Sequence, residues 1–189
     1  MSATATRVDR AAAVRRALRT MVARNGLHGA SMSTVAREAG VAIGTAYVHY
    51  ASKDELLLAA YLELKREMGE AAVAKVDHAA PPHERFIQLW MGIYRFLAAE
   101  PERAQFLLQV DSSPYGRLAH QRAMEIDGDP IMAMAAAPDL AAVLAPLDAD
   151  VLYDLGMGPA VRLAASERRT TRRELAAIAE ACWRASTIA

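Results

Sequence analysis

The stretch Ser31–Tyr50, SMSTVAREAGVAIGTAYVHY, decides the fold. It reads as two short helices around a tight turn. Ser31 is an N-cap residue whose hydroxyl can hold the first free amides of a helix over about 32–39. Gly40 stops that helix, and a second follows over about 44–50. Two such helices must cross steeply. Ala36 is small where the second helix crosses. Gly40, four residues on, sits at the turn, where a Cβ would be costly. Val35, Val41, Ala46 and Tyr50 can then point inward, which leaves the helix from Gly44 free to enter a DNA major groove.

Helical punctuation continues on both sides of this core. A first helix covers about 7–24, with Val14, Leu18, Met21 and Val22 on one stripe. Asn25-Gly26 ends it in the manner of a left-handed cap. Downstream, Ser52-Lys53-Asp54-Glu55 reads as a capping box that opens a long fourth helix to about residue 76, before Pro81-Pro82. A fifth covers about 83–99, with Phe86, Leu89, Trp90, Ile93 and Leu97 as its stripe. Glu100-Pro101 and Ser113-Pro114 open a sixth and a seventh, each with Pro in first position. Asp127-Gly128-Asp129-Pro130 is a break, and the stretch from Ile131 to Leu147 reads as short helical pieces interrupted by Pro138 and Pro146. Asp148 caps an eighth helix to about residue 166, kinked at Gly158-Pro159. Thr171-Arg172-Arg173-Glu174 is a second capping box for a last helix to about residue 186. No strand signal, repeat or long linker is present. The expectation is an all-α chain of about nine helices, with a helix-turn-helix domain over 1–52 and a helical body over 53–189.

Composition agrees. Over half of the 189 residues are hydrophobic, and Ala, Leu and Met favour helices over sheets. A chain of this length buries a core without staples. The single cysteine, Cys182, excludes an intramolecular disulfide framework and fits a reducing compartment. Met1 to Thr6 lacks the apolar stretch of a leader, and the run from Ile131 to Leu147 is too short and broken to span a bilayer. A soluble cytoplasmic protein with no membrane partner is expected. The formal net charge of zero hides an asymmetry: Met1 to Lys53 carries eight basic residues against two acidic ones, and the rest carries fourteen against twenty. Such a basic end points to a polyanion partner or to a solvated helix face. Catalysis finds no support. None of the five histidines forms a metal-ligand pair on one helix, Cys182 has no local partner, and no Gly-rich phosphate loop exists. No metal or cofactor is expected.

The run from Leu18 to about Leu58 resembles the DNA-binding domain of the TetR family of bacterial regulators. Its parts match in order: Arg24-Asn25-Gly26 closing a helix, Ser31, Val35-Ala36-Arg37-Glu38-Ala39-Gly40-Val41, Gly44-Thr45-Ala46-Tyr47-Val48-His49-Tyr50, and Ser52-Lys53-Asp54-Glu55-Leu56. The resemblance implies that Thr45 and Tyr47 face the groove and that His49 and Lys53 contact phosphates. Ser31 and Ser33 open a helix whose first amides can hold a phosphate. Three positions beside Gly44 depart from the family pattern: Ala42, Ile43 and Val48 stand where polar residues are common. Small apolar groups in a groove favour thymine methyls, so direct base discrimination is expected to be weak and DNA shape to carry more of it. Ile43 and Val48 have a second reading, as packing against the first helix.

Residues 53–189 are similar to the family's regulatory domain in layout. The resemblance implies a ligand-responsive regulator, in the first place a repressor, that binds a palindromic double-stranded operator as a homodimer and is released by a small, mostly apolar effector. An activator, or control by a protein partner, is the alternative. Phe86, Trp90, Met91 and Tyr94, with Phe106, Leu107 and Val110, and with Tyr115, Met124, Tyr153 and Met157, form either a pocket for a flexible or flat apolar ligand or plain core. Gln109, Asp111, His120 and Asp154 are the polar candidates. Asp111 adjoins the turn Ser112–Tyr115; buried, it would favour a cationic ligand, and otherwise it is a capping or surface residue. Leu175, Ile178, Cys182 and Trp183 make an apolar stripe that Val151, Leu155 and Leu163 can oppose near Gly158. It serves either a two-fold dimer, paired as a four-helix bundle in family members, or the monomer core. Ligand binding is expected to shift the fourth helix, which links body to DNA-binding domain.

Overall fold

The helical punctuation carries through into the computed structural model, which describes residues 3–126, 128–166 and 168–188, with side chains from Asp9 onward. Asp127 of the expected break, the start of the supposed leader-free N-terminus at Met1 and Ser2, and the side chain of Arg7, counted in the basic end, lie outside the described residues. Among the described residues there are twelve α-helices and no strand; a lone antiparallel bridge joins Leu144 to Thr187.

The first three helices are α1 (Ala3–Asn25), α2 (Met32–Glu38) and α3 (Ile43–His49). Gly26 ends α1 with φ 70°, the left-handed conformation expected of it. Ser31 and Thr34 cap α2 reciprocally: the Thr34 amide donates to Ser31 Oγ at 3.2 Å, and the Ser31 amide donates to Thr34 Oγ1 at 2.9 Å. Gly40 turns the chain with φ 67°, and nothing lies within 4 Å of where its Cβ would stand. Backbone conformation, not crowding, therefore requires glycine there. Val35, Ala36, Ala46 and Tyr50 are buried against Val14, Leu18 and Val22 of α1, and Val41 is half-buried. Tyr50 fastens the end of α3 to α1, because its hydroxyl accepts from Arg15.

The body begins with α4 (Lys53–Val73). Its cap is half of the expected box. Ser52 Oγ accepts from the Glu55 amide, but the Glu55 carboxylate reaches back past Ser52 to the Ala51 amide at 2.7 Å. Then come α5 (Pro82–Ala98), α6 (Pro101–Asp111) and α7 (Gly116–Met124). Trp90, Ile93 and Leu97 of α5 are fully buried, at the centre of a helix packed on α4, α11 and α12. Gly92 allows the α4 crossing: a Cβ there would stand 2.8 Å from the Ala72 carbonyl oxygen.

Twelve helices replace the expected nine for two reasons. The stretch after the break resolves into α8 (Pro130–Ala135) and α9 (Pro138–Ala141). The kink at Gly158-Pro159 is a full break between α10 (Ala149–Gly156) and α11 (Gly158–Ala165), since Pro159 has no amide to continue the ladder. The last helix is α12 (Arg172–Ser186), with the complete Thr171–Glu174 capping box. Two details differ. Pro114 lies in a turn ahead of α7, where Ser113 Oγ donates to the Val110 carbonyl and accepts from the Tyr115 amide. Asp148 stands at the N-cap of α10, but its side chain makes no cap hydrogen bond. No helix among the described residues is long and apolar enough to cross a membrane.

Candidate functional site

Helix α3 carries an apolar face that nothing among the described residues covers. Ile43, Tyr47 and Val48 are 47%, 51% and 66% exposed, and Ala42 and Gly44 beside them are exposed too. At 100° per residue Ile43, Gly44, Tyr47 and Val48 share one side of the helix, while Ala46 on the other side is fully buried and Ala42 precedes the helix as its N-cap. Thr45 and His49 flank the face, half-buried. The packing reading of Ile43 and Val48 is therefore overturned: the inner surface of α3 is already filled by Ala46 and Tyr50. Uncovered large apolar groups on so short a helix mark a contact surface. The hydroxyls expected at its edge are partly engaged, since Ser31 Oγ takes the Thr34 amide and lies 2.9 Å from Ser33 Oγ. Lys53 Nζ donates to the Leu27 carbonyl, which leaves two of its three N–H groups free.

The basic end is divided in its use. Arg15 pairs with Glu63, Arg19 stands 3.2 Å from Glu67 and 3.6 Å from Glu63, and Arg24 pairs with Glu102 at 2.8 Å. The Glu63 hydrogen bond, against a burial penalty, raises the already high pKa of Arg15. These arginines bolt α1 to α4 and α6. Arg10, Arg16 and Arg37 are exposed and in no ion pair among the described residues. The polyanion footprint is smaller than the charge count implied.

The body holds a cavity of about 140 Å³ walled by α4, α5, α7, α8, α9, α10 and α12. Of the residues expected to line a pocket, Phe86, Met124, Tyr153 and Met157 do so. Trp90, Phe106 and Val110 are fully buried in the core, Tyr94 stacks on Trp90 at 6.1 Å between ring centroids, and Tyr115 and Val110 border a separate pocket of about 340 Å³ under the start of α4. The cause is rotational. The α5 stripe turns one edge, Phe86 and Leu89, to the cavity and its centre to α4 and α11. Asp111 is not in the lining: it stands exposed at the C-terminal end of α6, with only its carboxylate end among neighbours. It accepts the Tyr61 hydroxyl at 2.9 Å, and Tyr115 donates to Asp54 at 2.8 Å.

Sequence reading missed Lys65, Asp129, Leu140 and Ser186 in the cavity wall. Lys65 carried a signal: it interrupts an apolar α4 stripe that includes Tyr61, Leu64 and Met68, four residues after Tyr61. It is only 8% exposed, and its Nζ lies 4.0 Å from the Tyr153 ring centroid. His120, one of the polar candidates, meets Tyr153 edge to face at 4.5 Å. Burial, and then the charge of Lys65, push its pKa below the ordinary histidine value. Crowded surroundings push the Asp111 carboxyl up, opposed by the Tyr61 hydrogen bond and by Lys65. Asp129 is spent locally, its Oδ1 accepting from the Ile131 and Met132 amides at 2.9 Å each.

Of the stripe on the last helices, Leu175 and Cys182 are buried within the chain. Trp183 packs edge-on against Phe86 at 5.3 Å, and Ile178 is half-buried. That side of the stripe closes the monomer core. Val151 and Leu155 remain outside, 43% and 38% exposed.

A family model described as "Bacterial regulatory proteins, tetR family" matches residues 14–60, and one described as "Tetracyclin repressor-like, C-terminal domain" matches residues 81–187. An HTH-type transcriptional regulator of Haemophilus influenzae is 32% identical over 149 residues, 78% of each chain. The crystal structure of a TetR-family transcriptional regulator from Haemophilus influenzae superposes with a TM-score of 0.78 at 28% identity, over 97% of this chain and 99% of that one. A tetR family transcription regulator from Shewanella gives 0.81 at 25% identity, over 95% and 99%. The matches span the three-helix end with its uncovered α3 as well as the helical body behind it, and the chain accordingly belongs to the TetR family of transcriptional regulators, with a helix-turn-helix DNA-binding domain at its N-terminus.

Proposed function

We propose that the protein is a ligand-responsive repressor: a cytoplasmic homodimer that holds a two-fold-symmetric operator and lets go when a small, mostly apolar molecule fills the body cavity. The observation that carries this reading is the disposition of α4. Lys65, on one side of the helix, lines the cavity, and Tyr61, one turn earlier, reaches Asp111 of α6. Glu63 and Glu67, on the opposite side, clamp Arg15 and Arg19 of α1. Lys65 lies about 18 Å along the axis from the first residue of α4. A rigid strut with one face in the cavity and the other bolted to the DNA-binding unit transmits a small rotation. In this reading residues 1–52 bind DNA and residues 53–189 bind ligand and dimerise.

The DNA face is Ala42, Ile43, Gly44, Thr45, Tyr47 and Val48, with His49, Lys53, Ser31 and Ser33 toward the backbone. Its apolar centre suits thymine methyls and shape readout. Dimerisation uses the outer sides of α10 and α12. Exposed Val151 and Leu155, joined by exposed Leu147 and by the small Ala177 and Ala181, let helices from two copies approach closely. The two recognition helices then fall on successive turns of one DNA face. Ligand occupancy changes their separation, a coupling of about 1–3 kcal/mol, or roughly 5- to 150-fold in operator affinity. The protein represses where the operator overlaps a promoter.

The test is a fluorescence-anisotropy titration against the protein's own upstream intergenic DNA, at two salt concentrations and with random DNA as competitor. Specific binding at two chains per site, relieved by a compound that also raises the melting temperature, supports the reading. Compounds that stabilise the protein and never alter DNA binding refute the coupling.

A further inference from the structure

The polar groups in the cavity wall do not match one another. Lys65 is more than nine-tenths buried, yet no carboxylate among the described residues comes within the 4.0 Å ion-pair distance of its ammonium. The face of the Tyr153 ring gives it partial compensation. Tyr153 Oη and Ser186 Oγ are buried without a hydrogen-bond partner among the described residues, and both residues line the same cavity. The one carboxylate in the wall among the described residues, Asp129, is committed to the amides at the start of α8. His120 is held toward its neutral form by burial and by Lys65, against the opposite pull of Asp150, Asp111 and Asp154. The rest of the lining is apolar, with Phe86, Leu89, Leu140 and Met157. A buried cation and buried hydroxyls left unpaired are costly. They become favourable when a bound molecule supplies the missing acceptor.

From this arrangement we infer that the cavity binds an amphiphilic monoanion, a carboxylic acid in its ionised form, with the carboxylate on Lys65 Nζ and Tyr153 Oη and the apolar tail along Leu89 and Met157. Ser186 supplies a further donor from α12. The cavity of about 140 Å³ is close to one of ~150 Å³ that holds a benzene ring, so a tail of about six to eight carbons fits. The inference rests on the effector reading above for its consequence and reverses the charge that a buried Asp111 would have selected. Because the carboxylate docks on α4 itself, between Tyr61 and Gly69, it pulls directly on the helix that carries Glu63 and Glu67.

The experiment is calorimetric titration of the full chain with octanoate, 1-octanol and octylammonium, which share a tail and differ in head. Octanoate is expected to bind at least about tenfold more tightly than octanol, the factor that one charge-assisted hydrogen bond supplies, and octylammonium more weakly than either. Lys65→Met should erase the octanoate preference, leave octanol binding unchanged, and melt at or above the wild-type temperature because an unpaired buried charge is gone. Tyr153→Phe, which only removes an unpartnered hydroxyl, should lower octanoate affinity several-fold and spare octanol; it decides the matter should Lys65→Met fail to fold. Octanol or octylammonium binding as tightly as octanoate, a preference that survives Lys65→Met, or no binding of any of the three overturns the inference. Lys65-dependent octanoate binding that leaves operator affinity unchanged would keep the site and sink the effector reading. Operator release by a compound indifferent to Lys65 would do the reverse.

Discussion

Replacing Glu63 by Gln tests whether the α1–α4 clamp holds the DNA-binding unit to the body. The Glu63 side chain is 14% exposed, and the arginines it faces are 20% (Arg15) and 15% (Arg19) exposed. Exposed pairs contribute about 0–1 kcal/mol, whereas removing one partner of a buried pair costs about 3–5 kcal/mol. Glu63 lies nearer the buried limit, but the Gln amide oxygen still accepts one hydrogen bond, and Arg19 keeps Glu67. The expected loss is about 2 kcal/mol, a fall in melting temperature of about 4–8 °C for a chain of this size. Glu102→Gln is the internal control. Its pair with Arg24 is 42% and 60% exposed, so its loss should stay under about 0.5 kcal/mol. Urea melts at low salt and at 1 M salt separate the two cases, because a shielded pair is screened less. If Glu63→Gln costs no more than Glu102→Gln, or its deficit disappears in 1 M salt, the clamp is surface decoration and the strut argument fails.

Further consequences can be checked the same way. Tyr47→Ala should weaken operator binding by about tenfold while leaving random-DNA binding nearly unchanged, measured by competition anisotropy; equal losses on both would remove Tyr47 from specific recognition. Val151→Asp combined with Leu155→Asp should halve the mass seen in analytical ultracentrifugation, and an unchanged mass would place the dimer contact elsewhere. Asp111→Asn should raise stability slightly at pH 7, the gain kept small by solvent screening because the residue is exposed. The folded-state pKa of Asp111 lies above its unfolded value, so ionising it costs more in the folded protein. That penalty is full above the folded pKa and vanishes as pH falls through the unfolded value of about 3.9. The advantage of Asn, which can still accept the Tyr61 hydroxyl, should therefore shrink toward pH 4; a variant that is no more stable at pH 7 contradicts the sign.

The DNA-binding end was legible because its constraints are local. Gly26 and Gly40 need left-handed backbone, Ser31 needs to cap, and Ala36 and Ala46 need to be small. Each shows as a residue type at a fixed spacing. The cavity was half legible for the opposite reason. Which of Phe86, Trp90 and Tyr94 faces a void depends on how α5 is rotated between α4 and α11, and no spacing along α5 encodes that. The walls from α8 and α9 come from the Ala- and Pro-rich stretch whose helices are six and four residues long, too short for periodicity to register. The dimer stripe failed in part because α12 is flanked on two sides. Its apolar residues serve α5, and its outward face is built of alanines that carry no strong signal.

The charge asymmetry is where counting misleads most, and the correction bears on mechanism. Arginines on α1 looked like a footprint for a polyanion, yet Arg15, Arg19 and Arg24 are tied to carboxylates of α4 and α6. A charge tied in a shielded pair, as those of Arg15 and Arg19 are, adds little to a counterion-release slope, whereas the exposed Arg24 pair withholds less. The exposed Arg10, Arg16 and Arg37, with what Lys53 has left, set that slope instead. The tied arginines do something a free patch could not do, since they make the orientation of α1, and with it α2 and α3, follow α4. In turn, the lone basic residue in the apolar stripe of α4 faces the cavity. Lys65 and the Glu63–Glu67 pair sit on opposite sides of the same stretch of α4, so in the proposed mechanism whatever neutralises the first is felt at the second without passing through any loop. On the dimeric, ligand-released reading proposed above, a ligand acting there needs to displace α4 only slightly, because two recognition helices must match one fixed helical repeat of DNA, and a small rotation at the strut becomes a larger error in their separation.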